Sequence, residues 1–271
     1  MLRHSKANKA NASFLYHDEA RGVRLQLDYL KAEVAMREHH IEHTIVVFGS
    51  ARIIEPEVAI QAHAEAEKNL EQAPDSPQLQ VALKRATAML KKSIHYEEAR
   101  AFGRLVGASG KGPHDSRITL MTGAGPGIME AANRGATDVG AKSIGLKIEL
   151  PFEQTSNPYI TPELNFVFHY FAIRKLHFMH RAKALVVFPG GFGTLDELFE
   201  VLTLIQTDTS EPMPVILIHR EYWDRLINFE MLRDEEMISD TDYNLLSYAE
   251  NAQEAWNSIL KWYSDRGNPL C

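Results

Sequence analysis

The chain has 271 residues, 45% hydrophobic and 24% charged, enough to bury the core of one α/β domain with decorations and too apolar for an extended disordered protein. Its net charge of −7, with no dense lysine and arginine stripe, argues against a broad nucleic-acid surface, so any anion site must be positive only locally. The single cysteine, Cys271, excludes an intrachain disulfide and a cysteine-rich metal site, and no apolar run approaches the roughly 20 residues that span a bilayer; the expected location is the cytoplasm, with no membrane partner.

The residues before Ser13 are polar and basic, without the apolar stretch of a secretory leader. From Phe14 to His40 the apolar residues Val23, Leu25, Leu27, Leu30, Val34 and Met36 recur among charges, so residues 1–43 read as a tail and a helical arm. Those side chains need the domain or another subunit to cover them, and a homo-oligomer is expected. Ile45 to Phe48 is the first core strand. It ends in Gly49-Ser50-Ala51-Arg52, which is either a binding loop at a strand's carboxyl end or a plain turn capped by Ser50.

Glu55 to Leu70 and Pro77 to Val106 are rich in Ala, Glu, Lys and Leu and flank the breaker APDSPQ, which predicts a helical hairpin or broken helix inserted over about 55–108. Tyr96, Glu97, Glu98 and Arg100 read as a solvated face. The second strand, Ile118 to Met121, runs into Thr122-Gly123-Ala124-Gly125-Pro126-Gly127-Ile128-Met129-Glu130, a strand, glycine turn and helix with Pro126 near the first helical turn. Its GxGxG spacing is not the GxGxxG of dinucleotide sites, and it follows the second strand, which argues against a nicotinamide cofactor. Glu130 and Arg134, four apart, fit a helix-surface pair.

Ser143 to Leu150 is a third strand, followed by the proline-marked loop PFEQTSNPYITP, where Glu153 and Asn157 are binding candidates. After a fourth strand, Leu164 to His169, the helix from Tyr170 to Arg181 carries Arg174 and Lys175, whose side chains diverge by roughly 100° and cannot face the same way.

Ala184 to Thr207 is the organising stretch. The β-branched run Leu185 to Phe188 leads through Pro189, Gly190, Gly191 and Gly193 into a helix from Leu195, a backbone cradle suited to phosphate. The same residues fit a capping box with Thr194 as N-cap and Glu197 at N3, but three glycines in four positions exceed what a cap requires. A strand at Val215 to His219, a helix from Tyr222 to Arg233 anchored by Trp223 and Leu226, a short strand at Leu245 to Tyr248 and an amphipathic tail complete the chain. Strands alternating with helices imply an α/β fold, a mostly parallel sheet with helices on both faces.

Together, GAGPGIMEAANRGA from Gly123, FAIRK from Phe171 and PGGFGTLDE from Pro189 resemble the LONELY GUY family, long labelled lysine decarboxylases. The resemblance runs roughly from Thr44 to Arg266. It implies a Rossmann-like nucleotide-binding catalytic domain over 44–271 that hydrolyses the N-glycosidic bond of a purine nucleoside 5′-monophosphate, AMP or N6-modified AMP, to free base and ribose 5-phosphate. No cofactor and no metal are implied, and His169, His177 and His180 lack ligand spacing. No lysine sits in a context that marks it for a pyridoxal Schiff base.

Carried over by motif, the catalytic pair falls on Arg174 and Glu197. The cradle falls on Gly190, Gly191, Gly193 and Thr194, with Gly125, Gly127 and Met129 on the facing wall, and Glu153 and Thr203 match residues further off. Gly49, Ser50, Gly123, Lys175 and Pro189, read from the turns and the helix themselves, complete the expected substrate contacts. One departure is Phe171, where shorter members carry methionine. The alternative is a carrier of a nucleotide or phosphate-bearing cofactor that uses the same cradle without turnover.

Overall fold

The sheet is built from short runs dominated by β-branched and aliphatic residues. The strands are β1 (His43–Phe48), β2 (Ile118–Thr122), β3 (Ser143–Ile148), β4 (Asn165–Phe168), β5 (Ala182–Val187), β6 (Val215–Ile218) and β7 (Leu246–Ala249). In the central strands nearly every residue is buried, as expected of parallel strands covered on both faces. The structure is a computed structural model and describes residues 13–149 and 155–271.

All seven strands are parallel, in the order β4-β3-β2-β1-β5-β6-β7. The chain starts at the centre, winds out to β4, and returns beside β1 through β5 before winding the other way. The reversal puts the switch point at the carboxyl ends of β1 and β5, the place where doubly wound sheets open a crevice. The β1–β5 register pairs Phe48 with Val187, so the turns after both strands emerge side by side.

Helices α1 (Arg21–Glu38), α2 (Pro56–Gln72), α3 (Pro77–Lys92), α4 (Ile94–Gly107), α5 (Ile128–Asp138), α6 (Phe171–His180), α7 (Phe192–Gln206), α8 (Arg220–Leu226), α9 (Phe229–Asp234), α10 (Asp240–Tyr243) and α11 (Ala252–Ser264) cover the two faces. One core layer joins α4, α5 and α11 to the sheet around Phe102, Ile128 and Trp256. The other joins α1, α6, α7 and α8 around Met36, Phe178, Leu198 and Trp223. Helices α4 and α5 approach closely because Gly103 and Gly135 lie at their crossing: a Cβ on Gly103 would run into the Ala132 carbonyl, and one on Gly135 into that of Arg100.

Several expectations are corrected by packing. The insertion is three helices, with Ser93 at the junction of α3 and α4. The face of Tyr96, Glu98 and Arg100 is not solvated, because α4 lies between α5 and α11. The Tyr96 hydroxyl donates to Glu130 at 2.9 Å, the Glu98 carboxylate accepts from the Ala252 N–H at 2.8 Å, and Arg100 forks onto Asp138 at 2.6 and 2.9 Å. Glu130 and Arg134 therefore do not pair; Arg134 reaches back to Glu55.

The expected helix from Tyr222 to Arg233 is two helices, because Ile227 is extended and Asn228 caps α9. Trp223 anchors α8, donating to the Ile218 carbonyl at 2.9 Å, whereas Leu226 is exposed. The third strand stops at Ile148. On α1 the buried residues are Asp28, Ala32 and Met36, and the Asp28 carboxylate accepts the N–H groups of His169 and Tyr170 at 2.7 and 3.2 Å. Val23, Leu27, Leu30 and Val34 stay exposed on the helix.

Candidate active site

Three turns meet over the switch point, after β1, β2 and β5, and two hydrogen bonds fasten them. The Ser50 N–H donates to the Pro189 carbonyl at 3.0 Å, and the Ser50 carbonyl accepts from the Ile128 N–H at 3.1 Å. Gly127 makes the second bond feasible. Its φ of 73° lies in the left-handed region, and a Cβ there would meet the Ser50 carbonyl at 2.5 Å. Gly127 is the N-cap of α5, so Pro126 stands directly before the cap, next to the first helical turn as expected.

Helix α7 begins at Phe192 with Gly191 as N-cap and no side chain bonded to the cap. Thr194 is thus inside the first turn and buried, and the capping-box reading of Thr194 with Glu197 fails. Nothing lies within 4 Å of a Cβ built on Gly191 or Gly193, whereas one on Gly190 would enter the Thr194 side chain. The Tyr222 hydroxyl donates to the Gly190 carbonyl at 2.5 Å and braces the turn from α8. Both α5 and α7 therefore present uncapped N-termini at one cleft of about 1190 Å³. First-turn N–H groups without side-chain partners, at the positive end of a helix dipole, suit an anion.

Glu197 is one and a half turns further along α7. Its Oε1 accepts from Arg174 Nη2 at 2.7 Å, both side chains lining the cleft and each close to 90% buried. The guanidinium lies over the rings of Phe171 and Phe178 at 5.3 and 5.4 Å, and among the described residues its buried Nε has no hydrogen-bond partner. Burial pushes the Glu197 carboxyl up to about 7; the Arg174 charge opposes the shift, and Asp196 and Glu200 add to it. Burial acts on Arg174 as well, disfavouring its charge, with Glu197 holding it.

Gly49, Ser50, Gly123, Gly125, Met129, Pro189, Gly190, Gly191, Gly193 and Thr194 line the cleft with the pair, and Gly127 lies behind the wall where the turns touch. Lys175 and Thr203 do not line it. Lys175 is spent on Asp196 and Glu200 at 2.9 and 3.0 Å, and Thr203 bonds the Phe199 carbonyl on the outside of α7. Asn157 is buried beneath the wall, donating to the Gly125 carbonyl and to Asn133 Oδ1, both at 3.1 Å, so it supports the turn rather than facing a ligand. Glu153 lies outside the described residues. Sequence reasoning missed Tyr222, Leu226, Arg85, Met89 and Lys92 on the cleft wall, none of which stands in a recognisable motif.

A doubly wound parallel sheet with glycine turns and uncapped helix ends at its switch point defines a Rossmann-like α/β protein. The X-ray structure of the structural-genomics target TM1055 shares this fold, with a TM-score of 0.50 at 19% identity over 81% of this chain and 99% of that one. Residues 129–259 match the family model described as possible lysine decarboxylase, which bears out the LONELY GUY resemblance over that segment.

The cytokinin riboside 5′-monophosphate phosphoribohydrolase LOG3 of Arabidopsis thaliana is 30% identical over 142 residues, 51% of this chain and 64% of the relative. LOG7 of the same plant is 36% identical over 83 residues, 30% of this chain and 38% of the relative. The matches span less than two thirds of the relatives' own length. The arm and the insertion precede the matched segment. Among the described residues no helix is long and apolar enough to cross a membrane.

Proposed function

We propose that the cleft hydrolyses the N-glycosidic bond of a purine nucleoside 5′-monophosphate, AMP or an N6-modified AMP, releasing base and ribose 5-phosphate. The observation that carries this reading is the buried Glu197–Arg174 pair one and a half turns beyond an uncapped helix start. The 5′-phosphate would sit against the first-turn N–H groups of α7, so binding energy far from the reacting bond places C1′ near the carboxylate. As the bond to the base breaks, positive charge grows on C1′ and the ring oxygen. Glu197 stabilises that charge and takes a proton from the attacking water, while Arg174 keeps the carboxylate available.

The test is incubation with AMP, with adenine and ribose 5-phosphate followed by chromatography. Tight AMP binding without either product would favour the carrier reading instead.

The carboxyl must be ionised to act, and its folded value is raised to about 7. The rate at saturating AMP is therefore expected to rise with pH through about 7 and then level. Arg174→Gln removes the charge that holds the carboxyl down, so the rising limb of its pH–rate profile moves to higher pH. An unmoved limb would remove Glu197 as the titrating group.

The reading includes a homo-oligomer acting in the cytoplasm. Val23, Leu27, Leu30 and Val34 recur at steps of four, three and four, the a/d spacing of a helix seam, and are 39 to 48% exposed. Replacing Leu27 and Leu30 by Glu is expected to lower the mass measured by light scattering to that of one chain. An unchanged mass would exclude α1 as the seam.

A further inference from the structure

Helices α6 and α7 are joined by two sets of ion pairs that diverge from adjacent residues. Arg174 turns to Glu197 inside the cleft, whereas Lys175 turns away from it to Asp196 and Glu200. The Lys175 Nζ lies 2.9 Å from Asp196 Oδ2 and 3.0 Å from Glu200 Oε2. Asp196 and Glu200 are four apart on one face of α7, so a single ammonium reaches both.

These two acids stand one residue before and three residues after Glu197, and all three carboxylates fall within little more than one turn. With Lys175 present, two cations face three acids; without it, Arg174 faces all three alone. Among the described residues no other cation pairs with Asp196 or Glu200. Exposed ion pairs contribute little to stability, and Asp196 is 57% exposed, so holding the helices together is a poor account of this arrangement. Lys175 itself is only 18% exposed, fixed beside the cleft wall while lining none of it.

We propose that Lys175 is a positioning residue of the reaction: it touches no ligand, and by binding Asp196 and Glu200 it shields the neighbouring Glu197 carboxylate from their negative charge. This rests on the reading of Glu197 as the reacting carboxylate and adds what governs its charge. Burial raises the Glu197 carboxyl, Asp196 and Glu200 raise it further, and Arg174 and Lys175 oppose the rise. Burial also works against the charge on Lys175, but the two carboxylates outweigh it and keep the ammonium charged. Arg52, Arg85, Lys92 and Lys147 stand elsewhere on the cleft wall and form a constant background in every variant below.

The experiment follows the Glu197 carboxyl by carbon-13 NMR in the full chain labelled at its glutamate carboxyl carbons, without substrate. The signal is identified by its loss in Glu197→Gln. In the wild type the midpoint is expected at about 7. In Lys175→Gln it is expected to rise by about one pH unit, since Asp196 and Glu200 are then unopposed, whereas Lys175→Arg, which keeps the charge, stays within about half a unit of wild type. The triple variant Lys175→Gln, Asp196→Asn, Glu200→Gln is expected to return to within about half a unit as well. In each variant the rising limb of the rate at saturating AMP moves with the midpoint.

An unmoved midpoint in Lys175→Gln overturns the inference. So does a triple variant as displaced as Lys175→Gln, the result expected if Lys175 only ties α6 to α7, because that variant keeps none of these ion pairs. The carboxyl titrates without substrate, so AMP bound and not cleaved counts against the hydrolase reading alone. A midpoint that moves while the limb stays counts against Glu197 as the base and leaves the shielding intact.

Discussion

Glu197→Gln is expected to slow base release from AMP by about 10³-fold while AMP binding stays within a few-fold of wild type. Glutamine has nearly the same shape, and its amide oxygen can still accept from Arg174 Nη2, so the contacts of α6 with α7 survive. What disappears is the negative charge beside C1′ and the base for the attacking water. Each of these effects is worth about 10²–10⁴ where it has been measured by mutation. Single-turnover assays of adenine release, with calorimetric titration of AMP, separate the two quantities. A variant turning over within tenfold of wild type would mean that Glu197 serves only to neutralise a buried arginine.

Gly135→Ala is expected to be the most destabilising single methyl addition in the fold, costing about 3 kcal/mol and lowering the melting temperature by roughly 6–12 °C. The added Cβ would overlap the carbonyl of Arg100 and lie 3.0 Å from the Arg104 nitrogen. Both are backbone atoms of α4, so relief requires moving a whole helix that is held on its other side by α11. Thermal unfolding followed by circular dichroism measures the effect. Gly22→Ala on α1, with nothing within 4 Å, is the matched control and should be neutral or slightly stabilising. Equal melting temperatures for the two variants would show that α4 and α5 can separate without cost.

Local patterns were enough to read the strands, the glycine turns and the parallel winding, because short β-branched runs ending in glycine leave few other architectures. The Thr194-x-x-Glu197 spacing was ambiguous for a physical reason. The same four residues make a cap if the helix starts after Thr194 and a catalytic arrangement if it starts at Phe192, and only the backbone decides. The divergence of Arg174 and Lys175 was foreseen from helical geometry; which of them turns inward depends on where α6 docks.

Tyr96, Glu98 and Arg100 looked solvated because their partners, Glu130, Ala252 and Asp138, are 34, 154 and 38 residues away in sequence. Leu226 fits an anchoring position only in a single helix from Tyr222 to Arg233, and the break at Ile227 removes that position. The cations of α3 were invisible for a related reason. On a basic amphipathic helix nothing marks the face that will overhang a cleft.

The peptide unit of Ser50 joins two neighbouring turns at once, accepting from one and donating to the other. The floor of the cleft is thus delivered assembled when the chain folds, and the ordering of those backbones is settled before any guest arrives. Recognition of the phosphate should consequently be fast and nearly rigid, and evolutionary changes of length should gather at the rim formed by α3, since a residue inserted in the turn after β1 would unfasten both of the others.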